Sequence, residues 1–271
     1  MPTVRVGDID LFYQDDDFAD PWVKHDTVFI QHGFGRNSNF FRGWVPWLAR
    51  HYRVIRMDLR GHAGSGDPGP DYRFSAEGFL RDFIGFLDAM KIDKVHYIGE
   101  SLGGLIGAMA AAQHPERFKS LTLISTPVSI PDNSARLAMS LGFASWGECI
   151  MGIGMKQWWM TMRASTGEIT GDPAMDEHFA TEFARTPAHI GAALTHLGPI
   201  INIAEYVPRI KVPTLLMVPG GGGKTPQEAQ EAMVKSMPDG RMKVYPGAKH
   251  SMYHLIPDQL AKDAFEFMRG L

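Results

Sequence analysis

Apolar and polar positions change period along this chain, and the changes mark its elements. Val4, Val6, Ile9, Leu11 and Tyr13 alternate with polar neighbours around Gly7-Asp8, the period-two pattern of a β-hairpin at the start of a sheet. Thr27 to Gln31 is instead a continuous apolar run (Val28, Phe29, Ile30), as expected of a strand buried on both faces of a mostly parallel sheet. Phe40, Phe41, Trp44, Trp47 and Leu48 fall at helical spacing and read as a core-facing helix. Arg53 to Asp58 predicts the next strand, and Ala76 to Met90 a packing helix with Phe79, Phe83, Phe86 and Leu87 on one face. A strand at Val95 to Ile98 then runs into a helix that ends near His114-Pro115, followed by a strand at Leu121 to Ile124.

After Ser125-Thr126-Pro127 the strand-helix rhythm stops. From Val128 to Tyr206 the chain is rich in Met and Trp, including Trp146, Met155, Trp158, Trp159 and Met162. This segment predicts a helical subdomain, and its adaptable Met and flat Trp surfaces suit a lid lining an apolar pocket. Trp158 and Trp159 are the expected substrate-binding residues, with only one of the adjacent pair able to face the site from a helix and the other in the core. The rhythm resumes with a strand at Val212 to Val218, a helix from Thr225-Pro226 to Met237, a strand at Met242 to Tyr245 and a closing helix bearing Leu260, Phe265 and Met268. The expected organisation is a core of residues 1–127 and 207–271 with a cap of residues 128–206.

Composition narrows the function. A chain of 271 residues suits one α/β domain carrying an insertion. A formal net charge of -3 gives no basic stripe for nucleic acid and no polybasic membrane patch, so a small molecule is the expected partner. The single cysteine, Cys149, excludes an internal disulfide and a cysteine-built zinc site. Met1 to Gln14 lacks a signal-type apolar core and no run is long enough to span a bilayer, which makes the cytoplasm the expected compartment. The glycine-rich Asp58 to Gly66 turn lacks the Lys-Ser/Thr of a phosphate loop and any dinucleotide spacing, so it reads as a structural loop with His62 bonded locally. No cofactor or metal is expected, and nothing in the sequence fixes the oligomeric state.

The chemistry concentrates at Gly99-Glu100-Ser101-Leu102-Gly103, a Gly-x-Ser-x-Gly string between a strand and a helix of small residues. In that context the serine sits on a strained turn, and small neighbours are needed where strand and helix pass close. Ser101 is therefore the candidate nucleophile, at a helix N-terminus that favours developing negative charge. A serine hydroxyl needs an imidazole to take its proton. Of eleven histidines, His250 alone lies on a loop between a β-type run and the terminal helix, with His254 a lesser rival one turn on. After the early strand, His32-Gly33-Phe34 is placed to supply a backbone N–H from Phe34, and Leu102 supplies a second at the elbow.

Early His-Gly-Phe, central Gly-Glu-Ser-Leu-Gly-Gly and late Gly-Ala-Lys-His-Ser, in this order and spacing, resemble the α/β-hydrolase superfamily over nearly the whole chain. The resemblance implies an eight-stranded, mostly parallel sheet with a helical cap after the sixth strand. It also implies Ser101 as nucleophile, His250 as general base, and the Phe34 and Leu102 N–H groups as an oxyanion hole. The expected activity is cofactor-free hydrolysis of a small apolar or aromatic ester, lactone or related carbonyl compound through an acyl-enzyme. Carbon–carbon hydrolysis of a diketone-like substrate is an alternative, and a ligand-binding protein with weakened turnover is a third. The chain departs from the family at the triad acid: Gly222 stands where relatives carry aspartate, and Ser125 and Thr126 fill the other usual place. Asp132 and Glu205 are the displaced carboxylates to consider. The favoured expectation is a Ser-His pair held by a neutral group, with Ser125 and Thr126 the hydroxyls to examine and Glu100 pointing away.

Overall fold

A computed structural model describes residues 2–129, 135–222 and 226–271, with the side chains of residues 135 and 136 excepted. Eight strands form one sheet: β1 (Thr3–Val6), β2 (Ile9–Asp16), β3 (Thr27–Gln31), β4 (Arg53–Met57), β5 (Val95–Glu100), β6 (Phe118–Ile124), β7 (Thr214–Pro219) and β8 (Gly240–Tyr245). Their order is β1-β2-β4-β3-β5-β6-β7-β8. β1 and β2 form the expected hairpin, and β2 also runs antiparallel to β4. The remaining pairs are parallel, so β3 to β8 deliver the loops at their C-terminal ends to one edge.

The strands read as continuous apolar runs because both faces are covered. Phe29, Ile55 and Tyr97 pack toward α2 (Ala76–Ala89) and α3 (Leu102–Gln113), whereas Val28, Ile30, Val54 and Ile98 pack toward the opposite face. That second face is closed by α1 (Val45–Leu48) and α11 (Pro257–Arg269), with the short α10 (Met252–Leu255) beside them. Helix α9 (Gln227–Lys235) covers the first face next to β7, its Met233 buried. The aromatic stretch expected as one helix is a 3₁₀ segment, Ser38–Trp44, leading into α1 at Pro46; Phe40, Phe41, Trp44 and Leu48 are buried as expected.

Among the described residues between β6 and β7 are five α-helices, α4 (Ala135–Ser140), α5 (Trp146–Thr166), α6 (Pro173–Phe183), α7 (Ala188–Leu194) and α8 (Leu197–Ile200), and a 3₁₀ turn at Val207–Arg209. Ser145 caps α5 by accepting the Glu148 N–H, and Gly167 ends it in the left-handed conformation at φ 65°. Inside α5, Gly154 leaves helical geometry (φ 77°, ψ 161°) and kinks the helix. No helix among the described residues is long and apolar enough to cross a membrane.

Candidate active site

Ser101 ends β5 and opens α3 with φ 51° and ψ -113°, a conformation costly for a residue with a Cβ. Two glycines make the turn possible. A Cβ on Gly99 would lie 2.6 Å from the Gly103 carbonyl oxygen, and one on Gly103 would collide with the Gln31 carbonyl of β3. The elbow thus presses α3 against β3 and β5, and Ser101 occupies the sheet edge where the parallel strands end.

His250 arrives at the same edge on the loop between β8 and α10. Ser101, His250, Phe34 and Leu102 all line one cavity of about 680 Å³, so the four residues singled out for catalysis share a chamber. The loop that carries Phe34 is held by two buried histidines. His32 donates from Nδ1 to the Gly33 carbonyl and accepts the Leu59 N–H on Nε2 at 3.0 Å. His62 donates to the Arg60 carbonyl, as the local bonding expected of it, and also accepts the Gly35 N–H at 3.3 Å. Burial lowers the basicity of both rings, that of His62 to a pKa of about 4, which preserves the lone pair each uses as an acceptor.

The imidazole's neighbour is a carboxylate that the sequence reading pointed elsewhere. Glu100 is fully buried; its Oε1 lies 3.3 Å from His250 Nε2, and its Oε2 accepts the Gly33 N–H at 3.0 Å and faces Arg36 Nε at 3.7 Å. The reversal at Ser101 lifts only the serine out of the strand. Glu100 keeps its register with Ile124 of β6, and its side chain enters the crevice where the loops after β3 and β8 meet. The expectation that Glu100 points away from Ser101 did not foresee this approach to His250. A signal was present in the sequence: an acidic residue at the end of an all-buried strand needs buried partners.

The other candidates for the missing acid's place fare differently. Gly222 borders the cavity at φ 102° and carries no carboxylate. Asp132 lies outside the described residues, and Glu205 is solvent-exposed and does not line the cavity. Ser125 Oγ donates to the backbone carbonyl of His250 at 2.9 Å rather than to the ring, and Thr126 Oγ1 donates to the Ile124 carbonyl at 3.1 Å. Both hydroxyls, singled out for inspection as neutral partners of the imidazole, thus donate to backbone carbonyls. His254 is buried among Phe179, Trp159 and Arg163, and burial with the nearby cations keeps its ring neutral.

Trp158 and Trp159 both line the cavity, against the expectation that only one could. Helical neighbours are about 100° apart, and a broad concavity reaches both. Trp158 stacks on Phe183 with an interplanar angle of 16°, and Trp159 stacks on the same ring at 4.5 Å between centroids. Two arginines unforeseen from the sequence flank Trp159: the guanidinium carbons of Arg36 and Arg163 lie 5.3 and 5.2 Å from its ring centroid. Both arginines are buried and both line the cavity. Arg36 donates to the Tyr253 hydroxyl and to the Phe34 carbonyl. Arg163 donates to the Glu168 carbonyl and lies 3.8 Å from Asp176, while its buried Nε has no hydrogen-bond partner among the described residues.

Residues 26–255 match the family described as alpha/beta hydrolase fold. Over 267 residues the chain is 26% identical to a protein of Azorhizobium caulinodans provisionally named carbamate hydrolase RutD, covering 95% of this chain and 94% of that one. It is 24% identical over 255 residues to the 2-hydroxy-6-oxo-6-(2'-aminophenyl)hexa-2,4-dienoic acid hydrolase of Metapseudomonas resinovorans, covering 90% and 84% of the two chains. Among solved structures, the enol-lactonase of Burkholderia xenovorans LB400 superposes with a TM-score of 0.83 at 23% identity, covering 99% of this chain and 100% of that one.

Proposed function

Because this chain belongs to the α/β-hydrolase family, we propose that it is a cofactor-free serine hydrolase of a small ester, lactone or related carbonyl compound. The observation that carries the reading is the strained Ser101 elbow opening into the same cavity as His250. In this reading His250 takes the Ser101 proton as Oγ attacks the substrate carbonyl, and the Phe34 and Leu102 N–H groups receive the oxyanion. The protonated imidazole then gives its proton to the leaving alcohol, and water repeats the cycle on the acyl-enzyme. Glu100 supplies the charge that stabilises the imidazolium, a role taken elsewhere in the family by an acid at the Gly222 position. Helices α4–α8 act as the cap, with Trp158 and Trp159 forming the apolar wall against the substrate. The proposal takes a small molecule as the partner and the cytoplasm as the setting.

A second reading, carbon–carbon hydrolysis of a diketone-like acid, is favoured by one specific feature. Arg36 and Arg163 place two buried cations beside the aromatic wall formed by Trp158, Trp159 and Phe183, and the relative from Metapseudomonas resinovorans is named for a dienoic acid. A free carboxylate on the substrate would engage the guanidinium of Arg36 or Arg163.

Labelling with a fluorophosphonate tests the shared core of both readings. Adduct formation on Ser101, abolished in a folded Ser101→Ala variant, is the expected outcome; an unlabelled wild-type protein refutes an activated serine. Comparing neutral esters with analogues bearing one terminal carboxylate then separates the readings. Arg163→Met is expected to lower kcat/KM for the acidic set at least tenfold more than for the neutral set, and an equal loss in both sets refutes recognition of a substrate carboxylate by Arg163.

A further inference from the structure

Both chain neighbours of His250 are bonded to one short stretch of the helical insertion. Ser251 donates its N–H to Glu168 Oε2 at 3.0 Å. On the other side, Lys249 Nζ donates to the Thr166 carbonyl at 2.7 Å and to the Gly167 carbonyl at 3.0 Å. These carbonyls stand at the C-terminal end of α5, where a cation is favoured by the helix dipole. Residue 168 is itself fixed by Arg163, which donates to the Glu168 carbonyl from the last turns of α5. The core holds the loop from below: Ser125 Oγ donates to the His250 carbonyl and the Gly221 N–H to the Ala248 carbonyl. His250 therefore sits on a segment clamped between the sheet edge and residues 166–168.

We propose that Glu168 is a positioning residue for His250: with Lys249 it latches the end of α5 to the histidine loop, so that the imidazole is correctly placed only when the insertion is docked. The inference rests on the reading of His250 as general base, and it adds a dependence which that reading does not require. The family's acid orients the histidine from the core, but at Gly222 that support is missing, and here part of the restraint comes from the inserted helices instead. Glu168 lines the cavity, half-buried, and is held below the usual carboxylate range against its burial by the Ser251 N–H and the nearby imidazole. The groups that face His250 are Glu100 from β5, Glu168 from beyond α5 and neutral His254 from α10. Lys249 on its own loop and Arg36 and Arg163 across the cavity are the cations among the described residues that line the same chamber.

Three variants separate latch from charge. Glu168→Gln keeps an acceptor for the Ser251 N–H and removes the charge. Glu168→Ala removes both, and Lys249→Met cuts the other half of the latch. Each is measured by amide hydrogen exchange at residues 249–251, by the rate of fluorophosphonate labelling of Ser101, and by the pH profile of that rate. Glu168→Ala is expected to raise exchange at Ser251 at least tenfold and to slow labelling at least tenfold. Glu168→Gln should restore most of the exchange protection while shifting the acid limb of the labelling rate to lower pH. Lys249→Met should loosen the same amides. Unchanged exchange and labelling in Glu168→Ala, with wild type reacting normally, overturns the latch. Slowed labelling without loss of protection at Ser251 also overturns it, since the residue would then act by charge alone. A wild-type protein that does not label at all indicts the serine-hydrolase reading, while the exchange data still judge the latch. A variant that fails to fold is recognised by loss of protection throughout the sheet, and Glu168→Gln then decides.

Discussion

Replacing Glu100 by Gln removes one charge and little else. The amide oxygen can still accept the Gly33 N–H that Oε2 now takes at 3.0 Å, so the loop carrying Phe34 should keep its shape. What disappears is the anion 3.3 Å from His250 Nε2. At that separation an effective dielectric of about 20 gives an attraction for the imidazolium of about 5 kcal/mol. The amide dipole that replaces the anion recovers part of it, which leaves about 3 to 4 kcal/mol. Because the imidazole is charged in the transition state and neutral before it, most of this difference falls on kcat, a loss of about 100- to 1,000-fold. The assay is the acylation rate with a p-nitrophenyl ester, measured before steady state and across pH. The acid limb should also move to lower pH, since the imidazole loses the anion that favours its proton. Glu100→Ala should lose more than Glu100→Gln, because it also strands the Gly33 N–H in a buried site. A Glu100→Gln enzyme within threefold of wild type, with an unmoved pH profile, would refute the assignment of Glu100 as the imidazole's counter-charge.

Stability should fall with pH through His62. Its ring is neutral in the fold, with a pKa of about 4 against an ordinary value of 6.5, so it contributes fully above pH 6.5 and progressively less as pH drops through 4. The shift corresponds to about 3 kcal/mol at most, read as the difference in urea-unfolding free energy between pH 7 and pH 4. The His62→Gln variant should show a shallower slope over that window; an identical slope removes His62 from the account. Gly103→Ala drives a methyl into the Gln31 carbonyl, and since both partners are backbone, the elbow must move. An expected loss of about 2 kcal/mol or more in urea unfolding, together with slowed labelling of Ser101, checks the close approach of α3 to β3. A variant as stable and as reactive as wild type would show that the contact yields without cost.

The sequence alone determined the elements and their order. Periodicity needs only local information, and the switch from alternating positions at Val4–Tyr13 to continuous apolar runs at Thr27–Gln31 already separated an edge hairpin from buried parallel strands. Ser101 was legible for the same reason: the glycines that permit its turn are its chain neighbours. Gly222 was equally visible as a missing acid. Which carboxylate faces His250 instead was not, because the answer depends on which side chains meet at the sheet edge from segments far apart in the chain. Glu100 meets His250 across 150 residues of sequence and reaches Gly33 on another loop. Arg163 lies one helical turn beyond Trp159 on α5, but Arg36 reaches the other side of that ring only once α5 lies over the loop after β3. Ser125 stood at a usual acid position, yet its hydroxyl holds the His250 carbonyl, a distinction of a few ångströms that no spacing rule contains. A buried carboxylate is costly unless partners converge on it, and convergence of that kind is a property of tertiary packing.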